Sequence, residues 1–366
     1  MNTIGILGAT GAIGSRTLKL LQGKYKLRAS YLRNERQSTE DCEYMRVDVS
    51  KEEDLRKFMD GLSAVINCAG ASYLNGERVS KIAGELKIPY IDPSGETFLE
   101  DKLEELKKDN IFVLSSGYFP GLTGVLMRNT CEGFDEPLSI SGYSVSEEIP
   151  SQSAIEDFIL TNLSGFGVTG SYYEDGQIKR DDTPVVEIIQ NMPYQLTNYL
   201  SVEAEHIARE FNLKKANWYN ASFGEEIIGK LQQAIIEFRQ GSDRYKETIK
   251  EVPKLFEEKL KDIEGYTYIY VEGQGTKNGM LYSSKSSVKC SCSSELSALI
   301  AASTAEFVLN NKVDPGIHYA MDLLKPEDVI ARLEDLNVEY KHRESLEQIF
   351  EVGKEDSFEE YEEGVI

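Results

Sequence analysis

Cysteine is scarce: five stand in 366 residues, at Cys42, Cys68, Cys131, Cys290 and Cys292. An odd number at irregular spacing implies no disulfide framework. Cys290-Ser291-Cys292 is the one close pair. On a strand both thiols would share a face. A tetrahedral metal would need two more ligands, and no other Cys or His is near in sequence, so no metal is expected. Positive charge is also short. Forty Lys and Arg face 62 Asp and Glu, a net charge of −22. Such an excess repels nucleic acid and anionic membrane surfaces, so neither is an expected partner. No stretch approaches the ~20 apolar residues of a membrane span. The first strand pattern begins near Thr3, which leaves no room for a signal peptide and points to a cytoplasmic protein. Histidine is rare, with three residues. A Tyr-x-x-x-Lys pair is missing: no tyrosine has lysine four residues on.

What is present begins at Gly8-Ala9-Thr10-Gly11-Ala12-Ile13-Gly14. An apolar run, Ile4-Gly5-Ile6-Leu7, precedes it, and a helical pattern from Ser15 to Leu21 follows. Strand, glycine turn and helix are the context of a dinucleotide-binding fingerprint. One glycine permits the tight turn, one admits a pyrophosphate to backbone N–H groups, and one lets the helix pack against the strand. The helix N-terminus adds partial positive charge. Gly8, Thr10, Gly11, Ala12 and Ile13 are therefore candidate cofactor residues. The spacing is G-x-x-G-x-x-G, which an ordinary strand-helix turn also tolerates.

Strand and helix patterns alternate through the first 115 or so residues. Strands are expected over Lys26–Leu32, Tyr44–Val49, Ala64–Cys68, Ile88–Ile91 and Ile111–Leu114, with helices between them. Short connections in such a pattern mean parallel β-α units. The fold class expected is α/β, a Rossmann doubly wound parallel sheet with a second, mixed α/β (α+β) domain. Ligands bind such sheets outside the carboxyl ends of the strands. The loops found there add Asn67, Cys68, Ala69, Gly70 and Gly117 to the cofactor candidates. The second strand runs into Arg33-Asn34-Glu35-Arg36. A cation there attracts a 2′-phosphate, so NADP (NADPH) is favoured over NAD, with Glu35 the competing hydroxyl partner. Asp48 ends the third strand, where it either meets an adenine edge or caps the next helix.

Four stretches together carry a resemblance: Gly8–Gly14, Val65–Gly70, Tyr90-Ile91-Asp92-Pro93-Ser94-Gly95-Glu96, and Gly117-Tyr118-Phe119-Pro120-Gly121-Leu122. In order and spacing they resemble the saccharopine dehydrogenase / saccharopine reductase-like oxidoreductases. The run Val313–His318 fits the same group. The resemblance spans residues 4 to about 318 and is strongest in the first 125. It implies a Rossmann domain whose cofactor is covered by the second domain. It also implies reversible hydride transfer between NAD(P)H and a C=N or C–N bond, as in imine reductases and amine dehydrogenases. The expected substrate is a small imine or secondary amine derived from an amino acid, and the family often forms homodimers. Two alternatives stay open: an atypical short-chain-type reductase of a carbonyl or activated double bond, and a non-catalytic NADP-binding redox sensor.

The expected division is residues 1–122 for the cofactor, 123–292 for substrate and dimerisation, and 293–366 as helices packing back on the first domain. In the second part, Ser151 and Ser201 are candidate helix caps. Asp175-Gly176 signals a type I′ hairpin. An imine needs a proton at nitrogen. Tyr118 ends a strand facing the cofactor site, Asp92 lies in the loop with Glu96, and His206 sits on a helix face; these are the catalytic candidates. His318 is expected in a loop. Tyr143, Tyr172 and Tyr173 are candidates for lining the substrate pocket, against a structural role for any one of 20 tyrosines.

Overall fold

The computed structural model describes residues 2–33, 35–161, 166–336 and 338–347. The expected alternation is present. β1 (Thr3–Leu7), α1 (Ala12–Leu21), β2 (Lys26–Tyr31), β3 (Cys42–Arg46), α2 (Glu52–Met59) and β4 (Ala64–Asn67) come first. Then follow α3 (Ser72–Glu85), β5 (Tyr90–Ile91), α4 (Thr97–Leu103) and β6 (Ile111–Leu114). These strands form a parallel sheet in the order β6-β5-β4-β1-β2-β3, and Gly316–Tyr319 pairs parallel to β6 to make a seventh described strand. His318 is thus on a strand, not in a loop, because residues 316–319 take their hydrogen bonds from β6. The order reverses between β1 and β4, the place where such sheets bind ligands. Ile4, Ile6, Leu7, Ala64, Val65 and Ile66 are all buried, as strands covered on both faces must be. The expected α/β fold with a second, mixed domain is the observed one.

The second sheet, of ten described strands, is mostly antiparallel. Its long central strand, Tyr266–Lys277, pairs with Glu136–Glu147 on one side and Met280–Cys290 on the other. The Asp175-Gly176 hairpin forms with φ of 50° and 81°, both left-handed as its turn type requires. The chain after residue 293 is divided: Ser293–Asn310 packs on α1 and β4, while Glu339–Leu346 joins the second sheet. Residues 355–366, expected to be an acidic tail, lie outside the described residues. The strands Val185–Ile189, Met192–Ser201 and Glu339–Leu346 and the helix Tyr245–Lys259 had no counterpart in the sequence reading. That helix carries Pro253 in its interior, where proline breaks the usual helical signal. It packs with Gln152–Thr161 and Glu225–Arg239 through Ile155, Ile227, Ile249, Val252 and Phe256, a small core separate from that of the sheets. No described helix is long and apolar enough to cross a membrane.

Candidate functional site

One cavity of about 1140 Å³ runs from the glycine turn to the three-helix group. Gly8, Thr10, Gly11, Ala12 and Ile13 line one end, with Ser30, Tyr31 and Leu32 beside them. The glycines divide the work as the fingerprint requires. Gly8 has φ of 70°, and a Cβ on it would lie 2.3 Å from the Cys68 carbonyl oxygen. A Cβ on Gly14 would lie 2.3 Å from the Gly8 carbonyl oxygen, so α1 can approach β1 only without a side chain there. Gly11 differs: its nearest neighbour would be the Gly8 oxygen at 3.2 Å. It is the N-cap of α1 and offers no side chain to the first helical N–H groups. Those donors have no intrahelical acceptor and face open space. An uncapped helix start behind a side-chain-free turn fits a pyrophosphate.

The second wall of this end is the loop after β4. Asn67 donates to the Asn75 side chain at 3.0 Å and to the Tyr90 hydroxyl at 2.9 Å. Asn75 in turn donates to the Ala69 carbonyl. This network holds Asn67, Cys68, Ala69 and Gly70 against the cavity, and all four line it. Cys68 is half-buried, and desolvation pushes its thiol pKa up to about 12, with nearby Asp92 adding to the rise. It is no thiolate, and it packs as an apolar group.

Asp92 does not line the cavity; it lies fully buried beneath it. It accepts from Ser72 at 2.5 Å, from Tyr90, and from the Ser94 and Gly95 N–H groups at 2.9 Å each. Burial holds its carboxyl above the usual range. Four donors engage it in shaping the loop that carries Pro93, Ser94 and Glu96 to the cavity wall. Tyr118 reaches the cavity itself. Its N–H donates to Ser297 at 3.2 Å, and its hydroxyl is held up in pKa by burial and by Glu148. Gly117 is buried one residue behind the wall, where a Cβ would meet the Pro93 carbonyl oxygen at 2.5 Å. The Phe119–Pro120 bond in this loop is cis.

Several candidates stand elsewhere. His206 does not reach the cavity. It is half-exposed, 3.3 Å from Asp322 and 3.5 Å from Glu210, and its pKa is raised, first by hydrogen bonding to Asp322. That trio is the one described cluster with metal-ligand character, but the Arg128 guanidinium lies within it, 2.7 Å from both acids. Asp48 is half-exposed and accepts from Ser50, N–H at 3.0 Å and hydroxyl at 2.6 Å, shaping the entry to α2; its neighbours Val47 and Val49 line the cavity. Arg33 is exposed just past the lining residues Tyr31 and Leu32. Tyr143, Tyr172 and Tyr173 are not in the lining: Tyr143 stacks on Tyr270, while Tyr172 and Tyr173 lie under Lys215 and Arg209. Tyr31 and Tyr199 line the cavity beside Tyr118. Cys290 ends a strand and Cys292 caps the helix Ser293–Asn310, so the two do not share a strand face. The Cys290 thiol donates to the Cys292 carbonyl at 3.2 Å, and all five cysteines are free.

The far end of the cavity holds groups the sequence reading did not bring together. Glu96 is 2% exposed, and its Oε2 has no hydrogen-bond partner among the described residues. Asp157, from the helix Gln152–Thr161, likewise has a buried Oδ1 without a partner. Burial pushes the Asp157 carboxyl up to about 7, with Asp92 adding to the rise. Glu96 is raised well above the carboxylate range by burial, then by Glu203, Asp157 and Glu100. Glu203 itself is buried but satisfied, accepting from the Gly121 and Gly124 N–H groups at 2.8 and 3.1 Å and from Thr123. Glu96 was visible beside Asp92 in sequence. Asp157 was not, since only the tertiary fold carries it across to Ser94.

Comparison with known proteins agrees with this architecture. Residues 4–83 match the model of the NAD dependent epimerase/dehydratase family. No curated protein matches the chain in sequence. Among solved structures, apo saccharopine dehydrogenase (L-Glu forming) from Saccharomyces cerevisiae superposes with a TM-score of 0.65 at 13% identity, covering 94% of this chain and 100% of its own. DAP dehydrogenase from C. glutamicum, in complex with DAP, covers 90% of this chain and 98% of its own at 12% identity and a TM-score of 0.44. Uronate dehydrogenase from Agrobacterium tumefaciens matches over 25% of this chain and 40% of its own, at 15% identity and a TM-score of 0.24. Across nearly its whole length, then, the chain has the two-domain fold of the yeast saccharopine dehydrogenase, the family its motifs resemble.

Proposed function

We infer that the protein is an NADP-dependent oxidoreductase that transfers hydride to or from the C=N or C–N bond of an imine or secondary amine. The observation that carries this is the cavity joining an uncapped, glycine-lined helix start to a wall where Glu96, from the first domain, and Asp157, from the second, each keep one buried oxygen without a donor. A nicotinamide dinucleotide bound there would supply or take up the hydride. The chain's own part is positioning. The α1 N-terminus and the Asn67–Gly70 loop hold the nucleotide, and the Tyr118 loop faces the space beyond. Asp157, with a pKa near neutral, is the group able to exchange a proton with nitrogen at neutral pH. Arg33, exposed just past the lining residues Tyr31 and Leu32, is the cation that would meet a 2′-phosphate.

The test is a titration of the purified protein with NADPH and NADH, followed by amine-plus-carbonyl screens read as oxidation of NADPH. NADPH is expected to bind at least tenfold more tightly than NADH, with amine-dependent turnover. Turnover of carbonyls with no need for amine would favour the short-chain-type reductase reading. Tight NADPH binding without turnover of any substrate would favour the redox sensor.

A further inference from the structure

The charge of the cavity is one-sided. Three described lining residues are acidic, Glu96, Glu148 and Asp157, and one is basic, Arg16. Arg16 belongs to the nucleotide end: it sits on the second turn of α1, donates to the Ala12 carbonyl at 3.0 Å and lies 3.8 Å from Glu295. Residues 160–165, from the end of the helix carrying Asp157 to Phe166, include no ionisable side chain. Beyond the nucleotide, therefore, the described lining offers no cation to a substrate carboxylate. A site built for a free amino acid would be expected to place Arg or Lys there, because a buried carboxylate without a partner is costly.

The acids are not alike. Glu148 is already engaged, accepting from Ser146 at 2.7 Å, Thr267 at 2.9 Å and the Ser293 N–H at 3.1 Å. Glu96 and Asp157 each keep a buried oxygen without a donor. The charged groups that act on Glu96 are Glu203, Asp157 and Glu100, all acidic. Those that act on Asp157 are Asp92 and Glu156, while Ser94 and the Tyr73 N–H donate to its carboxyl and leave Oδ1 without a donor. No cation of the described lining stands at this end of the cavity, so a cationic donor from outside the chain would supply the missing partner. Past these acids the wall is apolar, formed by Phe158, Phe166, Phe223, Leu231, Val252 and Phe256.

We propose that Glu96 and Asp157 hold the protonated nitrogen of a hydrophobic amine that carries no free carboxylate, with its apolar portion against the phenylalanine-rich wall. This rests on the amine reading of the site and narrows it. Ammonium N–H groups would satisfy the two orphaned oxygens, and the positive charge would draw protons off both carboxyls on binding. An amino acid offers the same nitrogen but brings a carboxylate into a pocket of like charge, where repulsion in a low-dielectric site opposes it.

The experiment compares 2-phenylethylamine with L-phenylalanine, which differ by one carboxylate, by isothermal titration of the protein saturated with NADPH. The amine is expected to bind at least tenfold more tightly. Glu96→Gln and Asp157→Asn are each expected to weaken the amine tenfold or more, while NADPH affinity stays unchanged and shows that the variants fold. L-phenylalanine binding as tightly as the amine overturns the proposal. So does an amine affinity indifferent to both substitutions, or no binding of either compound. Absence of NADPH binding would strike the oxidoreductase reading instead, and the same titration on cofactor-free protein would still decide between amine and amino acid.

Discussion

At one end of the cavity the polar groups are backbone N–H donors at the start of α1, left uncapped by Gly11, with Gly8 and Gly14 letting the backbone pack closely behind. At the other end they are side-chain oxygens of Glu96 and Asp157, drawn from segments about 60 residues apart and left without donors. The first end fits an anion and is made almost wholly of local backbone geometry. The second fits a cation and is made wholly of tertiary packing. Each end lacks the countercharge that a ligand would bring, and the cavity joins them. The contrast between Glu203 and Glu96 makes the same point within one residue type. Both are buried, but Glu203 collects three donors and fastens the Gly121–Gly124 segment, whereas Glu96 has an oxygen facing none.

Substitutions break or sharpen this comparison in a definite order. Gly8→Val is expected to be the most damaging, because its side chain would meet the Cys68 carbonyl at 2.3 Å and its φ of 70° is hostile to a β-branched residue. The left-handed backbone alone costs about 1–2 kcal/mol, before the clash is counted. Thermal unfolding should show a large fall in midpoint or no folded protein. Gly11→Val sharpens the contrast: its Cβ has 3.2 Å to the nearest atom and its backbone is extended, so the fold should survive while binding of both NADPH and NADH falls by about 100-fold, about 2.7 kcal/mol. Normal affinity in that variant would show the turn to be structural only.

Glu203→Ala should lower stability by about 2–3 kcal/mol in denaturant melts, since it strips acceptors from buried N–H groups. Glu96→Gln should leave stability unchanged or raise it, since it removes an uncompensated carboxyl. Equal losses in the two variants would abolish the distinction between them. Stability should also depend on pH. Asp157 and Glu203 have folded pKa values of about 7, raised from 3.8 and 4.5 by burial. Between those limits the folded state binds more protons than the unfolded one, so stability falls as pH rises from about 4 to 7. The slope of midpoint against pH should be shallower in Asp157→Asn. The smallest expected effect is that of Arg33→Ala, a loss of about tenfold for NADPH, about 1.4 kcal/mol, with NADH unchanged. Equal losses for both cofactors would remove the 2′-phosphate role.

The nucleotide end was legible because its determinants are close in sequence. A strand, a glycine turn and a helix within the first 21 residues dictate one another through φ, sterics and hydrogen-bond direction, and each loop of the parallel sheet falls at a strand end by topology. The hairpin at Asp175-Gly176 and the cap at Ser201 were legible for the same local reason. His206 looked like a catalytic candidate only because histidine chemistry is visible in a sequence while position is not; the fold places it beside Arg128 and Asp322, away from the cavity. Asp92 was legible as an acid or as a cap with Ser94; its bonds from Tyr90 and from the Ser94 and Gly95 N–H groups are local, whereas Ser72 reaches it only when α3 packs beside β5.

By itself, then, the sequence determined the parallel sheet, its glycine-lined helix start and the loops at its carboxyl edge, all products of short-range backbone constraints. Only the tertiary structure decided that Glu96 and Asp157 share one pocket, that Glu203 is satisfied and Glu96 is not, and that the far wall is apolar. Those properties depend on which donors lie within hydrogen-bond reach after distant segments pack, and on how much water packing removes from each carboxyl, neither of which is encoded by any local run of residues.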